Sequence, residues 1–353
     1  MAPPTPPGPA SLLSDLTRSM ARRAETGLCL ANTRRPVRES SSLTLPFRAH
    51  RQEELRLLSY NVWFNEGIRV AERMWAIGRI IAAHNPHVIC LQEVTPNIKR
   101  YLAAHRSWWD GYEVACGEPA MTPYFTLLLV AKGSLAAPGS RQPFHNSRMG
   151  RDLSVARVRF RGRELAVATS HLESYLWQTK QSNAEERTAQ FREALKVLGR
   201  TGPSGKTNAI FVGDTNWDEK TDGEMQLPPG FRDAWRALHP DDPGFTYDAK
   251  RNTMLLGGLQ KRLDRAVVSL VDFELRSVQL VGTEKLPGVT YQKKRYKQGQ
   301  PYQQQMDVFP SDHFGLLLTL KLRPPKKGQI LGRQTLGTAA PGSAADNPVD
   351  LSD

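Results

Sequence analysis

Apolar runs of strand length recur through the middle of this chain, and each stops at a residue that a strand end does not need. The clearest runs from Ala209 to Val212 and is followed by Gly213, Asp214 and Asn216. Four apolar residues closed by a glycine predict a buried strand that turns where no side chain obstructs it. Asp214 and Asn216 are two residues apart, so in extended backbone they would face the same way and hold a small object such as a water. A plain Asx turn accounts for the same residues, since Gly, Asp and Asn all favour turns.

The pattern repeats in order along the chain. The strand Leu55–Asn61 ends in Asn61, and Val88–Gln92 leads into Glu93. Leu165–Ser170 is followed by His171, Glu173 and Ser174. Asp264 opens the strand Asp264–Leu270 after Arg262, and Ser311, Asp312 and His313 precede Phe314–Leu322. Asp, Asn and Glu are poor strand residues. Strand ends that repeatedly carry Asn, Glu, His or Asp therefore predict one site gathered at a sheet edge.

Between these runs lie the strands Leu127–Ala131 and Ser154–Phe160 and two helical patterns. Val70–Ala83 carries Val70, Met74, Ile77 and Ile81 on one face. Ser182 opens the second, with Glu185 as capping-box partner and Phe191, Leu195 and Leu198 as the buried stripe. Many strands and few helices predict an α/β architecture of four layers, two mixed β-sheets packed face to face and flanked by helices. A single domain over residues 53–323 is the simplest division. Residues 1–52, Pro-rich and then Arg- and Ser-rich, are expected to be disordered, as is the tail 324–353. The leader also suits an organellar transit peptide.

The formal net charge is +13 and the isoelectric point is near 9.8, which favours anionic partners. Nucleic acid comes first and an anionic membrane surface second. No run reaches the apolar length of a membrane span, so the expectation is a soluble chain. Cys29, Cys90 and Cys116 are odd in number and far apart, which argues against a disulfide framework or a cysteine zinc site and fits a reducing compartment.

The ordered series Tyr60-Asn61, Leu91-Gln92-Glu93-Val94, Tyr124-Phe125-Thr126, Ser170-His171-Leu172-Glu173-Ser174, Gly213-Asp214-Thr215-Asn216, Thr246-Tyr247-Asp248, Arg262-Leu263-Asp264-Arg265 and Pro310-Ser311-Asp312-His313 resembles the endonuclease/exonuclease/phosphatase superfamily. These are the DNase I-like, metal-dependent phosphodiesterases. The resemblance covers nearly all of residues 53–323. The text Ser-His-Leu-Glu-Ser and Gly-Asp-Thr-Asn favours, over abasic-site endonucleases, a resemblance to the branch that frees DNA 5′ ends from tyrosine, the remnant of a trapped topoisomerase.

The resemblance implies a catalytic set of Asn61, Glu93, His171, Asp214, Asn216, Asp264, Asp312 and His313. In it, Glu93 and Asn61 form the metal site, Glu93 as the ligand and Asn61 holding a metal-bound water or a phosphate oxygen, with Mg²⁺ as the ion and Mn²⁺ as the alternative. Asp214 orients and deprotonates the attacking water, and Asn216 helps to place it. His171 and His313 donate to the non-bridging phosphate oxygens, while Asp264 and Asp312 orient His313 or stand outside the metal's ligands. Tyr124, Arg151, Ser174, Tyr247 and Asn252 match positions that line the DNA path, Tyr247 standing where the family has Trp. The partner implied is a single-stranded 5′ DNA end bearing a tyrosyl or peptide adduct, met in the nucleus by a monomer.

Plainer roles compete. Glu93 suits a cap for the helix starting near Thr95-Pro96. Asp264 suits an ion pair with Arg262 or Arg265. His171 and His313 suit satisfied core histidines, and Lys293, Lys294, Arg295 and Lys297 suit a solvated basic loop. A general endonuclease or phosphatase, acting on abasic DNA, RNA or a phospholipid head group, shares the same motifs. A nucleic-acid-binding protein on an inactive fold is the reading from another class.

Overall fold

The computed structural model describes residues 53–117, 122–176, 179–199, 208–255 and 257–324. The expectations for 1–52, for the tail beyond Pro324 and for Cys29 lie outside them. The architecture is the expected one: two mixed six-stranded sheets face each other, with helices on both outer faces.

The first sheet has the order β13-β16-β1-β2-β4-β3. It comprises β1 (Glu54–Asn61), β2 (Val88–Val94), β3 (Tyr112–Val114), β4 (Phe125–Ala131), β13 (Phe273–Val281) and β16 (Gly315–Leu322). The second has the order β5-β6-β7-β8-β12-β9. It comprises β5 (Leu135–Pro143), β6 (Asp152–Phe160), β7 (Arg163–His171), β8 (Ala209–Asp214), β9 (Arg232–Asp233) and β12 (Asp264–Ser269). Two small ribbons complete the strands, β10 (Tyr247–Asp248) with β11 (Gln260–Lys261), and β14 (Thr290–Lys297) with β15 (Gln300–Asp307). The basic segment expected as a loop is β14. Its cross-strand pairing with β15 supplies the order that its polar sequence does not signal.

Both faces of the central strands are buried, which is why they read as continuous apolar runs. Leu57, Cys90, Leu316, Leu318, Val158, Val167, Ile210 and Val212 meet between the sheets. Leu58, Ile89, Leu91 and Leu127 turn outward to Met74, Ile77, Ile81, Ile98 and Leu102. These last five lie on helices α1 (Val70–His84) and α2 (Pro96–Ala104). On the other side Phe211 and Ala168 meet Phe191, Leu195 and Leu198 of α3 (Ala184–Gly199). At the start of α3, Ser182 Oγ accepts from Ala184 N at 3.4 Å, an ST-type turn rather than the expected capping box.

Strand direction brings the polar strand ends together. In each sheet one adjacent pair is parallel, β1 with β2 and β7 with β8. Asn61 and Glu93 therefore leave the first sheet at the same edge as His171 and Asp214 leave the second. Antiparallel partners begin where these end: Asp264 at the start of β12 is in register with Asp214, and His313 stands just before β16.

Candidate active site

Asp214 is the hub. It is 1% exposed, and both of its oxygens are engaged. Oδ1 accepts from Asn216 N at 2.9 Å, and Oδ2 accepts from Asn61 Nδ2 at 2.9 Å. The first bond is an Asx turn, so the plain reading of Gly-Asp-Thr-Asn holds alongside the functional one. Asn216 is left-handed, with φ 48°, and its amide donates to Leu172 O at 3.1 Å. The backbone is thus not extended through this pair, and the expected grip of both side chains on one water is absent. Asn216 instead fixes the carboxylate through its N–H.

Gly213 makes the turn possible. A Cβ there would sit 2.1 Å from the Ser170 carbonyl, and its φ is +152°. β7 and β8 approach so closely at this point that only glycine fits.

Glu93 enters the site from a bulge. The register between β2 and β4 shifts between Leu91 and Val94, and Glu93 has φ 60°. Such a bulge redirects a side chain next to a site. Glu93 Oε2 accepts from Phe64 N at 2.9 Å and Oε1 from Asn61 Nδ2 at 3.2 Å. It does not cap α2: Thr95 is the N-cap, its Oγ accepting from Ile98 N at 3.0 Å. Burial and then the charge of Asp312 push the Glu93 carboxyl up to about 7.

The orientation of Asn61 follows from its neighbours. Two carboxylate oxygens require its NH₂, and Trp63 N donates to its Oδ1 at 3.0 Å. The Trp63 N–H takes one of the two lone pairs of that oxygen. The Asn61 NH₂ bridges the Glu93 and Asp214 carboxylates, one N–H to each.

The two histidines differ in charge, one neutral and one cationic. His171 Nδ1 lies 3.1 Å from Arg151 Nη1, which can only donate, so the ring proton sits on Nε2. Nε2 faces Asp214 Oδ2 at 3.4 Å. Burial and then Arg151 lower the His171 pKa to about 3, leaving the ring neutral. His313 Nδ1 lies 2.7 Å from Asp264 Oδ2. Burial opposes its charge, yet Asp264 and then Asp214 raise its pKa well above the ordinary value. His313 Nε2 is 3.9 Å from Asp214 Oδ2, too far for a hydrogen bond, and its N–H stays available. Asp264 is thus not the ion-pair partner of its neighbours: Arg262 reaches Asp233 at 2.9 Å and Arg265 reaches Glu219 at 3.1 Å. Of the two expected orienters only Asp264 touches His313; Asp312 takes a 3.3 Å bond from Ser311 Oγ.

The expected DNA-path residues divide. Tyr124 stays at the rim, stacked on Phe64 with ring centroids 5.0 Å apart. Tyr247 packs edge-on to His313 at 5.4 Å. Ser174 is partly exposed and donates to Met149 Sδ at 3.3 Å. Arg151 is only 5% exposed and lies behind His171, so it sets a tautomer rather than lining a strand path. Asn252 is fully buried and donates to Ser311 O at 2.8 Å, bracing the loop that carries His313 instead of facing a strand.

Sequence reasoning missed three supports. Glu173 accepts from Arg148 N at 2.7 Å and Met149 N at 2.8 Å, holding the loop that delivers Arg151. Thr246 Oγ1 accepts from Leu263 N and Asp264 N, at 3.1 and 3.0 Å. Arg73, wholly buried in α1, donates to the carbonyls of Val62, Trp63, Asn65, Ile68 and Pro310, at 2.6–3.3 Å. The Ser-x-Leu-Glu spacing and the Thr-x-Asp motif offered a signal for the first two. Nothing in the helical pattern marked Arg73.

A buried mixed cluster of carboxylates, imidazoles and an amide at one sheet edge of this sandwich suits phosphate-ester hydrolysis. The chain belongs to the endonuclease/exonuclease/phosphatase family, whose sequence model matches residues 58–313. Within it, the chain is 30% identical to Homo sapiens tyrosyl-DNA phosphodiesterase 2 over 295 residues, 80% of this chain and 73% of that protein. It is 31% identical to the Mus musculus protein of that name over 276 residues, 76% of this chain and 66% of the relative's length. A crystal structure of Danio rerio TDP2 complexed with single-strand DNA product matches with a TM-score of 0.63 at 26% identity, covering 76% of this chain and all of that one.

Proposed function

We propose that the chain is a Mg²⁺-dependent phosphodiesterase that hydrolyses 5′-phosphotyrosyl bonds between DNA and topoisomerase remnants. The observation that carries the reading is the pair of histidines, one neutral and one cationic, set with Asn61 around the Asp214 carboxylate. The similarity to tyrosyl-DNA phosphodiesterase 2 supports the substrate.

The residues fit a divalent cation. Glu93 takes N–H bonds from Phe64 and Asn61; burial and then the charge of Asp312 raise its pKa, and burial, with a smaller push from Asp214, raises that of Asp312. Carboxylates that discourage each other's ionisation are relieved by a hard cation. Glu93 would hold the ion; when bound it neutralises phosphate charge and draws electron density from phosphorus.

The chain's own groups supply the rest. Asp214, kept ionised despite burial by the His171 Nε2–H that faces it and by the charge of His313, accepts the proton of the attacking water. Asn61 Nδ2–H and Asn216 N–H fix the direction of its lone pairs. His171 Nε2–H and the His313 imidazolium donate to the non-bridging oxygens as charge builds on them. The leaving phenol has a pKa of ~10, so it departs without a dedicated proton donor.

The test is release of tyrosine from 5′-tyrosyl oligonucleotides with and without Mg²⁺, beside 3′-tyrosyl and abasic oligonucleotides. The 5′-tyrosyl substrate should be cleaved fastest, and only with metal. Equal rates on both ends would overturn the substrate while leaving the hydrolytic chemistry standing.

A further inference from the structure

The β14–β15 ribbon takes no part in the chemistry above, yet it is rooted beside it. Six positions separate Asp307, the last residue of β15, from His313. At the root Tyr291 packs with Met254, Val308 and Phe309. Lys293 Nζ donates to Met254 O at 3.4 Å, and Arg69 Nε donates to Thr290 O at 2.9 Å. Eight residues per strand carry the tip about 27 Å outward.

The ribbon's composition is lopsided. Lys293, Lys294, Arg295 and Lys297 stand on β14, and residues 290–306 contain no Asp or Glu. Among the described residues, none of the four cations has a carboxylate partner. The cross-strand pairs Lys293↔Gln304, Arg295↔Tyr302 and Lys297↔Gln300 place three cations, two glutamines and one tyrosine on a single face. Tyr302 is 44% exposed. Partial burial, and then Arg295, lower the pKa of Lys293, so these cations crowd one another.

An unbalanced row of cations demands anions at a similar spacing, and a flat exposed ring among them offers a stacking surface. Duplex DNA satisfies only the first demand, because its bases are already stacked. A single strand satisfies both. A lipid surface would call for aliphatic side chains beside the cations, and Lys293, Arg295 and Lys297 have none among their cross-strand partners.

We propose that the β14–β15 ribbon is a second nucleic-acid-binding element that holds single-stranded DNA several nucleotides away from the end in the active site. Phosphates lie along Lys293, Arg295 and Lys297, and a base stacks on Tyr302. The proposal rests on DNA being the substrate.

The test is fluorescence anisotropy of the full chain with unmodified 5′-phosphorylated oligo-dT of 6 and 20 nucleotides. In R295Q/K297Q the preference for the longer strand should fall about tenfold or more. The slope of log affinity against log salt should flatten by about 1.4, two phosphates at ~0.7 each. Tyr302→Ala should weaken the long strand about five- to a hundredfold, and Tyr302→Phe should restore it. Wild-type affinity and slope in the double variant would overturn the proposal. So would stronger binding to a 20-base-pair duplex or to phosphatidylserine vesicles, or a Phe variant as weak as Ala. Tyrosine release by the wild type is scored separately. If it fails while the ribbon variants still lose single-strand affinity, the ribbon stands and the substrate reading falls.

Discussion

Nδ1 of His313 lies 2.7 Å from Oδ2 of Asp264, and this bond ties the two sheets together at the catalytic edge. Asp264 opens β12 of the second sheet, and His313 stands two residues before β16 of the first. The pair does two things at once: it keeps the imidazole charged and it fixes where Nε2 points.

Asp264→Asn should therefore move the alkaline limb of the pH–rate profile toward the ordinary histidine value of ~6.5. At neutral pH the rate should fall about 10- to 100-fold. The sign for stability follows from the raised pKa of His313. Its contribution is complete below the unfolded pKa and is lost as pH rises through the folded one. Urea midpoints of wild type and variant should thus differ more at pH 6 than at pH 10. An unmoved alkaline limb would refute this role.

Proton and metal compete at Glu93. Its carboxyl is raised from 4.5 to about 7, so in metal-free protein the stability it confers is present below pH 4.5 and lost as pH rises toward 7. Mg²⁺ should restore it, and the rise in Tm on adding MgCl₂ should be larger at pH 8 than at pH 5.5. Glu93→Gln should abolish that difference and lower turnover more than about 100-fold. A Tm response independent of pH would count against Glu93 as the ligand.

Arg151 sets the tautomer of His171 from behind the ring. In Arg151→Met both nitrogens compete for the proton, and the pKa should rise from about 3 toward the ordinary range, because Arg151 is the second cause of its depression after burial. Nitrogen-15 NMR of the imidazole should report a mixed tautomer, with kcat falling more than KM rises. A pure Nε2–H tautomer in the variant would mean that another group fixes the ring.

Gly213→Ala places a Cβ 2.1 Å from the Ser170 carbonyl, at a backbone angle that alanine avoids. The strands must part, at a cost of about 3 kcal/mol or more, and Asp214 must shift with them. Thermal unfolding should show the loss, and turnover by the remaining folded protein should fall as well. Near-native Tm and rate would mean that the turn relaxes freely.

The central strands were legible because burial on both faces gives continuous apolar runs. The candidate site residues were legible because they defy strand preference at strand ends. Edge elements were not: β13 alternates Glu274 and Arg276 with buried residues, and the β14–β15 ribbon has almost no apolar pattern. Direction was the other gap. A sequence names Arg151 and Asn252 as polar but not as buried, and Asn61 as an amide but not which end faces the carboxylates. Those answers come from neighbours 20 to 153 residues away.

The inter-sheet core also calibrates the chemistry. Asn61, Glu93 and His313 hang from one sheet and His171, Asp214 and Asp264 from the other, so their mutual distances are set by the thickness of the apolar layer behind them. Val212 and Leu318, fully buried between the sheets, act as spacers in a gauge. Altering their volume retunes the active site without touching it.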